Sequence, residues 1–228
     1  MKNIKKETII KLAIIAILLA VIITFTALVY KHNKDALPID AVIRDFAYRI
    51  RGEQGGIINT ITRVVTELGD YTGVFIVIIT VGILTKFDER FFLIALAAIT
   101  MHLTNSTFKD IVLRPRPFEE FRWQYESSTS FPSGHSATAG VLYTTALIYI
   151  LKSNLSDKIK LTAKIVLPLT IVVVMATRII LGVHYFSDVL TGASLGAIIA
   201  ILYSFLMDPA HKLYQIVLNK IKQSLKKA

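Results

Sequence analysis

The 228-residue chain has no cysteine. That excludes disulfides, thiolate metal sites and a cysteine nucleophile, and it leaves the compartment open. Charge is scarce as well: Asp, Glu, Lys and Arg make up 18% of the residues against 54% hydrophobic. A soluble domain of this length carries more charge and less apolar surface. Acids are scarcer than bases, 16 against 26, for a formal net charge of +10. Such a balance raises the question of nucleic acid. Here the cations flank apolar runs and form no basic face, so they read as a topology signal and no nucleic-acid partner is expected. Repeats and low-complexity linkers are missing too.

What is present is a series of long runs with little or no charge. Six stand out: Leu12–Tyr30, Tyr71–Thr85, Phe91–Phe108, His135–Leu151, Leu161–Thr177 and Val189–Met207. The first follows a Lys-rich start, but it is longer than the apolar core of a signal peptide and no small-x-small cleavage site follows it. The expectation is an all-α polytopic membrane protein with six transmembrane helices in one bundle and a single domain over residues 1–228. The second run is short for a bilayer core of about 30 Å. The ends of the second and fifth runs are not sharply marked. Between the first two runs, Ile39–Ile50 places apolar residues at helical spacing. It predicts an amphipathic helix lying on the membrane in the first outer loop. A second amphipathic stretch, Ile57–Leu68, leads into the second run.

Alternate segments differ in charge. The N-terminus, the Lys86–Arg90 turn, the loop around Lys152–Lys164 and the C-terminus hold 15 of the 26 Lys and Arg but only 5 of the 16 acids. The positive-inside rule therefore places both termini in the cytoplasm and the other three loops outside. Lys220, Lys222, Lys226 and Lys227 would rest on anionic inner-leaflet lipid. Small residues at Ser136–Gly140 and Gly192–Gly196 allow close helix packing. His102 would hydrogen-bond within the bundle. Phe118, Phe121, Trp123, Tyr125 and Phe131 would form an interfacial aromatic belt. The Lys- and Ile-rich composition points to a bacterium.

Three clusters sit at the outer boundaries. Lys109, Arg114, Pro115, Arg116 and Pro117 form a rigid cationic segment, and guanidinium forks match phosphate oxygens. Taken alone, it could equally anchor the chain to headgroups. In Phe131-Pro132-Ser133-Gly134-His135, Ser133 is a helix N-cap and Gly134 admits an anion to free N–H groups. His135 would stand at the mouth of the same site. Alone, this is also an ordinary helix start. In the third cluster, Arg178 precedes His184 and Asp188, which are spaced i, i+4. An Asp holding one imidazole nitrogen frees the other as nucleophile or base, although a surface His–Asp pair has the same spacing. The parity of the runs puts all three clusters on one side.

The pattern Lys-x6-Arg-Pro, Pro-Ser-Gly-His, Arg-x5-His-x3-Asp over residues 109–188 resembles the type 2 phosphatidic acid phosphatase family. That family also holds phosphatidylglycerophosphate phosphatases, undecaprenyl diphosphate phosphatases and soluble vanadium haloperoxidases. One departure is Thr177, where the family often has Ser. The resemblance implies catalytic roles for His184 as nucleophile, Asp188 as the acid that orients it, and His135 as general acid. It implies phosphate-binding roles for Lys109, Arg116, Ser133, Gly134 and Arg178, with Arg114 as a further candidate. No metal and no cofactor are expected. The implied activity is hydrolysis of phosphatidylglycerophosphate, phosphatidic acid or undecaprenyl diphosphate through a phosphohistidine. The alternatives are transfer of the phosphate to an acceptor other than water and, more remotely, a non-enzymatic transporter. Which lipid is used and the oligomeric state stay open.

Overall fold

The computed structural model of the chain describes residues 2–85 and 90–225. Lys86 with its turn, and Lys226 and Lys227, lie outside the described residues. Those residues are all-helical, without a strand. The helices are α1 (Lys2–Lys31), α2 (Pro38–Arg51), α3 (Ile57–Thr66), α4 (Tyr71–Thr85), α5 (Arg90–Val112), α6 (Gly134–Lys152), α7 (Asp157–Ile180) and α8 (Phe186–Leu225), with short 3-10 turns at Glu67–Gly69 and Glu119–Phe121.

Each expected run falls within a helix. Among the described residues three stretches are long and apolar enough to cross a membrane: Lys6–Lys31, Asp157–Ile180 and Phe186–Ile221. A fourth candidate is the pair Ile57–Gly69 and Thr72–Ile83, bent by 53°. The shortfall from six has physical causes. With 15 residues, α4 alone is only about 22 Å long. Helix α5 carries His102, Asn105, Ser106, Lys109 and Asp110 in its second half. Helix α6 begins Gly-His-Ser-Ala-Thr-Ala-Gly because it is packed among other helices and needs little apolar cover.

Helix α6 is the centre of the bundle, packed against α5, α7 and above all α8. Its core neighbours include Ile94, Met101, Val174, Leu195, Ile198 and Ile199. The two small-residue stretches meet each other. A Cβ on Gly192 would strike the Ser133 carbonyl, and one on Gly196 would strike that of Ala137. Only glycine lets the N-terminal halves of α6 and α8 approach this closely, which sets Ser133 beside the start of α8. Around this centre the surface is apolar: Ile9, Leu12, Ile17 and Ile23 on α1 and Leu161, Ile165, Leu169 and Val172 on α7 are all exposed. An apolar surface of this extent needs a covering phase, and the chain is a multi-pass membrane protein.

Helix α2 is dressed in reverse. Asp40, Ala47 and Arg51 point inward, while Ile39, Val42, Phe46 and Ile50 face out. Pro38 at the first helical position and the Asp40 carboxylate, which accepts from the Leu37 N–H at 3.0 Å, start it. The aromatic belt needs a correction. Phe118, Phe121 and Tyr125 are exposed, but Trp123 and Phe131 are buried. Trp123 packs on Leu181 and Val183, and Phe131 on Val29 and Val112. The loop between α5 and α6 folds down onto the helix ends and takes both rings into the interior.

Candidate active site

Helix α7 ends at Ile180, and Gly182 turns the chain at φ +72°. Helix α8 then starts at Phe186, two residues after His184, so the imidazole stands outside the helix while Asp188 lies in the first turn. The pair still meets: His184 Nδ1 is 3.4 Å from Asp188 Oδ2. The same oxygen accepts from the Tyr185 N–H at 2.9 Å and from the Ser130 hydroxyl. His184 Nε2 is 3.0 Å from Arg116 Nη1. A guanidinium can only donate, so Nε2 is the unprotonated nitrogen and Nδ1 carries the proton toward Asp188. Burial pushes the imidazole well below its ordinary pKa, and the Arg116, Arg178 and Lys109 cations push the same way. The result is a neutral ring with a lone pair on Nε2.

Three cations act on that ring, and Arg116 is the one in contact with it. Arg116 donates to the Ser128 and Val183 carbonyls at 2.6 and 2.8 Å. Burial brings it down to about 10, with Glu126 acting against the fall, so it stays charged at neutral pH. Lys109, near the end of α5, donates to the Thr129 carbonyl. Arg178, fully buried in α7, donates to Thr66 Oγ1 at 3.0 Å and to Glu126, and its Nε–H has no partner. Glu126 also lies 3.6 Å from Arg116. One carboxylate thus spans two arginines, in the place an anionic ligand would take.

Ser133 caps α6, its oxygen 3.4 Å from the Ser136 N–H, and its own N–H donates to the Asp188 carbonyl at 3.0 Å. This bond, with the glycine contacts above, ties the α6 start to the α8 start. Gly134 and His135 open α6, and His135 Nε2 lies 3.8 Å from Asp70. A cavity of about 640 Å³ is lined by Lys109, Arg116, Gly134, His135 and His184 at one end. Val74, Ile99, Met101 and Leu103 line it further along α4 and α5. His102 is part of this wall and is exposed.

A family model described as the PAP2 superfamily matches residues 90–211. The chain belongs to the PAP2 superfamily. It is 32% identical over 149 residues to phosphatidylglycerophosphatase B of Bacillus subtilis (strain 168), covering 64% of this chain and 73% of that one. Its structure is similar to that of a transmembrane PAP2 type phosphatidylglycerolphosphate phosphatase from Bacillus subtilis. The TM-score is 0.73 at 27% identity, over 86% of this chain and 96% of the other. It shares a fold with Aquifex aeolicus LpxE, with a TM-score of 0.59 at 24% identity over 75% and 96% of the two chains.

Within this PAP2 chain Arg114 stands apart from the other motif cations. It is fully buried, and its five N–H groups are all taken by protein. Nε meets the Lys34 carbonyl, Nη1 meets Ser187 Oγ and Asp188 Oδ1, and Nη2 meets the Asp35 carbonyl and Asp40 Oδ2. None is left for a phosphate. Several residues of the site escaped the sequence reading: Asp40, Thr66, Asp70, Asn105, Glu126 and Ser130. Only Asp40 carried a signal, as the acid behind the helix-starting Pro38. Among the described residues no group of three His, Asp or Glu is placed to hold a metal ion.

Proposed function

We propose that this PAP2 protein is a membrane phosphatase that hydrolyses a lipid phosphomonoester or diphosphate through a phosphohistidine at His184. The supporting observation is the shared cavity. Its one end gathers two imidazoles and two cations, and its walls along α4 and α5 are largely apolar. An amphiphile with a terminal phosphate fits both halves.

In the first step the Nε2 lone pair of His184 attacks phosphorus. The bond to the leaving oxygen breaks in line, and His135, charged once the bound phosphate offsets the neighbouring cations, gives that oxygen its proton. Arg116, Lys109 and Arg178 neutralise the charge that builds on the equatorial oxygens. Ser133 and Gly134 bring the backbone at the α6 start to the same oxygens. Asp188 holds the Nδ1 proton and stabilises the ring as it becomes cationic. In the second step His135 takes a proton from water, the water oxygen attacks phosphorus, and the P–N bond breaks to return the lone pair to His184. The three cations supply positive charge of the kind a metal ion supplies elsewhere, so the reading is metal-independent.

In this reading α1 and α4–α8 cross the bilayer. The outward apolar faces of α2 and α3 lie in the interface, and both termini are cytoplasmic. The exposed Val42, Phe46, Ile57, Ile61 and Val64 support the interfacial placement, as the charge bias supports the orientation. The test is phosphate release from phosphatidylglycerophosphate, phosphatidic acid and undecaprenyl diphosphate by purified protein in detergent with EDTA. Wild-type release that His184→Ala abolishes is the expected result. Undiminished release by His184→Ala would refute the phosphohistidine, and dependence on added metal would refute metal independence.

A further inference from the structure

Among the described residues, one buried polar atom on the cavity wall is left without a partner. Asn105 lies on α5, one turn before Lys109 and on the same face. It is only 6% exposed, it lines the cavity, and its Oδ1 is buried without a hydrogen bond. Its Nδ2 sits 3.6 Å from where a Cβ on Gly134 would be. The amide therefore lies between the phosphate-facing Lys109 and the α6 start that carries His135. His135 is the group that serves the leaving oxygen, so Asn105 lies on the leaving-group side. Buried acceptors in folded proteins are almost always paired, and an orphan on a side chain that lines a ligand cavity marks where a ligand can complete the bond.

We propose that Asn105 accepts a hydrogen bond from a hydroxyl of the leaving group, close to the scissile phosphate, and that the enzyme prefers lipid phosphates carrying that hydroxyl. This rests on the lipid phosphatase reading and narrows it. Phosphatidylglycerophosphate has a free hydroxyl on the carbon next to its phosphoester carbon. Phosphatidic acid has an acyl ester there, and a prenyl diphosphate has no hydroxyl at all. A site built around a substrate hydroxyl discriminates strongly, because the analogue that lacks it leaves the protein acceptor unpaired in a desolvated pocket. An apolar wall at this position would not separate the three.

The decisive comparison uses wild-type protein on phosphatidylglycerophosphate and on its counterpart with that hydroxyl replaced by hydrogen. The kcat/KM for the hydroxylated lipid is expected to be higher by about tenfold or more. In Asn105→Leu this ratio shrinks toward one, while Asn105→Asp, which keeps an acceptor, retains a preference. Equal kcat/KM values in the wild type overturn the proposal without any variant having to fold. So does an unchanged ratio in Asn105→Leu. Orthovanadate inhibition separates the two levels of failure. Equal rates that vanadate still inhibits remove the role of Asn105 and leave the phosphatase standing, whereas no phosphate release from either lipid removes both.

Discussion

Arg114 and Arg116 are two residues apart in one Pro-flanked segment, and their surroundings are opposite. Arg114 sits in a dry, saturated cluster. It pairs with Asp40 at 2.9 Å and Asp188 at 2.5 Å, all three side chains are fully buried, and it lies over the Tyr185 ring. Asp40 in turn accepts from the N–H and hydroxyl of Ser187, both at 2.8 Å. Arg116 lines the cavity, and its partners are the Ser128 and Val183 carbonyls, Ser128 Oγ at 3.2 Å, His184 and, at 3.6 Å, Glu126. Residues 113–116 have no regular structure, so the two side chains are not held to one side: one guanidinium reaches Asp188 and the other His184. What separates them is the kind of partner: Arg114 is locked between two buried carboxylates away from the cavity, whereas Arg116 lines the cavity and has His184 and a displaceable Glu126 among its partners.

Breaking the first cluster has the largest expected effect. Arg114→Ala leaves Asp40 and Asp188 as buried carboxylates without their shared cation. Removing one partner from a buried pair costs about 3–5 kcal/mol, a large part of the stability of a small protein. The variant is expected to lose most of its folded yield and to melt far below wild type in detergent. Arg114→Lys does not restore it, because three donors cannot replace five at fixed positions. A melting temperature within a few degrees of wild type for Arg114→Ala would contradict the structural role.

Arg116→Ala should lower the melting temperature much less than Arg114→Ala, because it strands no pair of buried carboxylates, and should remove turnover. A guanidinium that stabilises a transferring phosphoryl group is worth on the order of 10³-fold or more in rate. The loss should appear in kcat as well as in kcat/KM, since the charge it meets is greatest in the transition state. The two arginines thus predict opposite splits between stability and rate, and equal behaviour would dissolve the distinction. A pH effect follows with a fixed sign. His184 is held below its ordinary value by burial and by Arg116, Arg178 and Lys109. Its neutral form therefore persists below the ordinary histidine pKa of about 6.5. The acid limb of kcat/KM in the wild type should lie below that pH, and residual activity of Arg116→Ala should show the limb moved upward.

The same contrast explains what was legible in sequence. Lys109, Arg116, Ser133, Gly134, His135, Arg178, His184 and Asp188 stand at fixed spacings within three short segments, and the structure gathers these segments around one end of the cavity. The helices were legible because apolar runs and polar breaks are local. Arg114 was legible as a cation but not as a buried one, since its partners Asp40 and Asp188 lie 74 positions to either side of it. Asp40 meets Ser187 across 147 positions, and no periodicity in the α2 sequence announces that contact. Asn105 and Glu126 were silent for a related reason. A polar residue in an apolar helix or a loop acquires meaning only when the fold decides which side of a cavity it faces. The inward rings of Trp123 and Phe131 depend likewise on where the loop between α5 and α6 settles.

Glu126 sharpens the comparison at its weakest point, and the expected effect is the smallest. Its carboxylate lies against Arg178 and within 3.6 Å of Arg116, and it is part of the cavity wall. A phosphate reaching both guanidiniums has to displace this anion or share them with it, so Glu126 competes with substrate for the same donors. Glu126→Gln keeps the size and one acceptor but removes the charge. Free Arg178 is then left with less compensation, and any tetrahedral anion gains what the carboxylate gave up. Orthovanadate should inhibit the variant several-fold more tightly than wild type, since charged groups in this partly exposed position (about 20% of the side chain) are worth about 1 kcal/mol each after screening. Arg114 offers no such competitor, and no change at its cluster should tighten vanadate binding. If Glu126→Gln weakened vanadate instead, the carboxylate would be holding the arginines in place for phosphate, and Arg178 would belong with Arg114 among the residues that build the site.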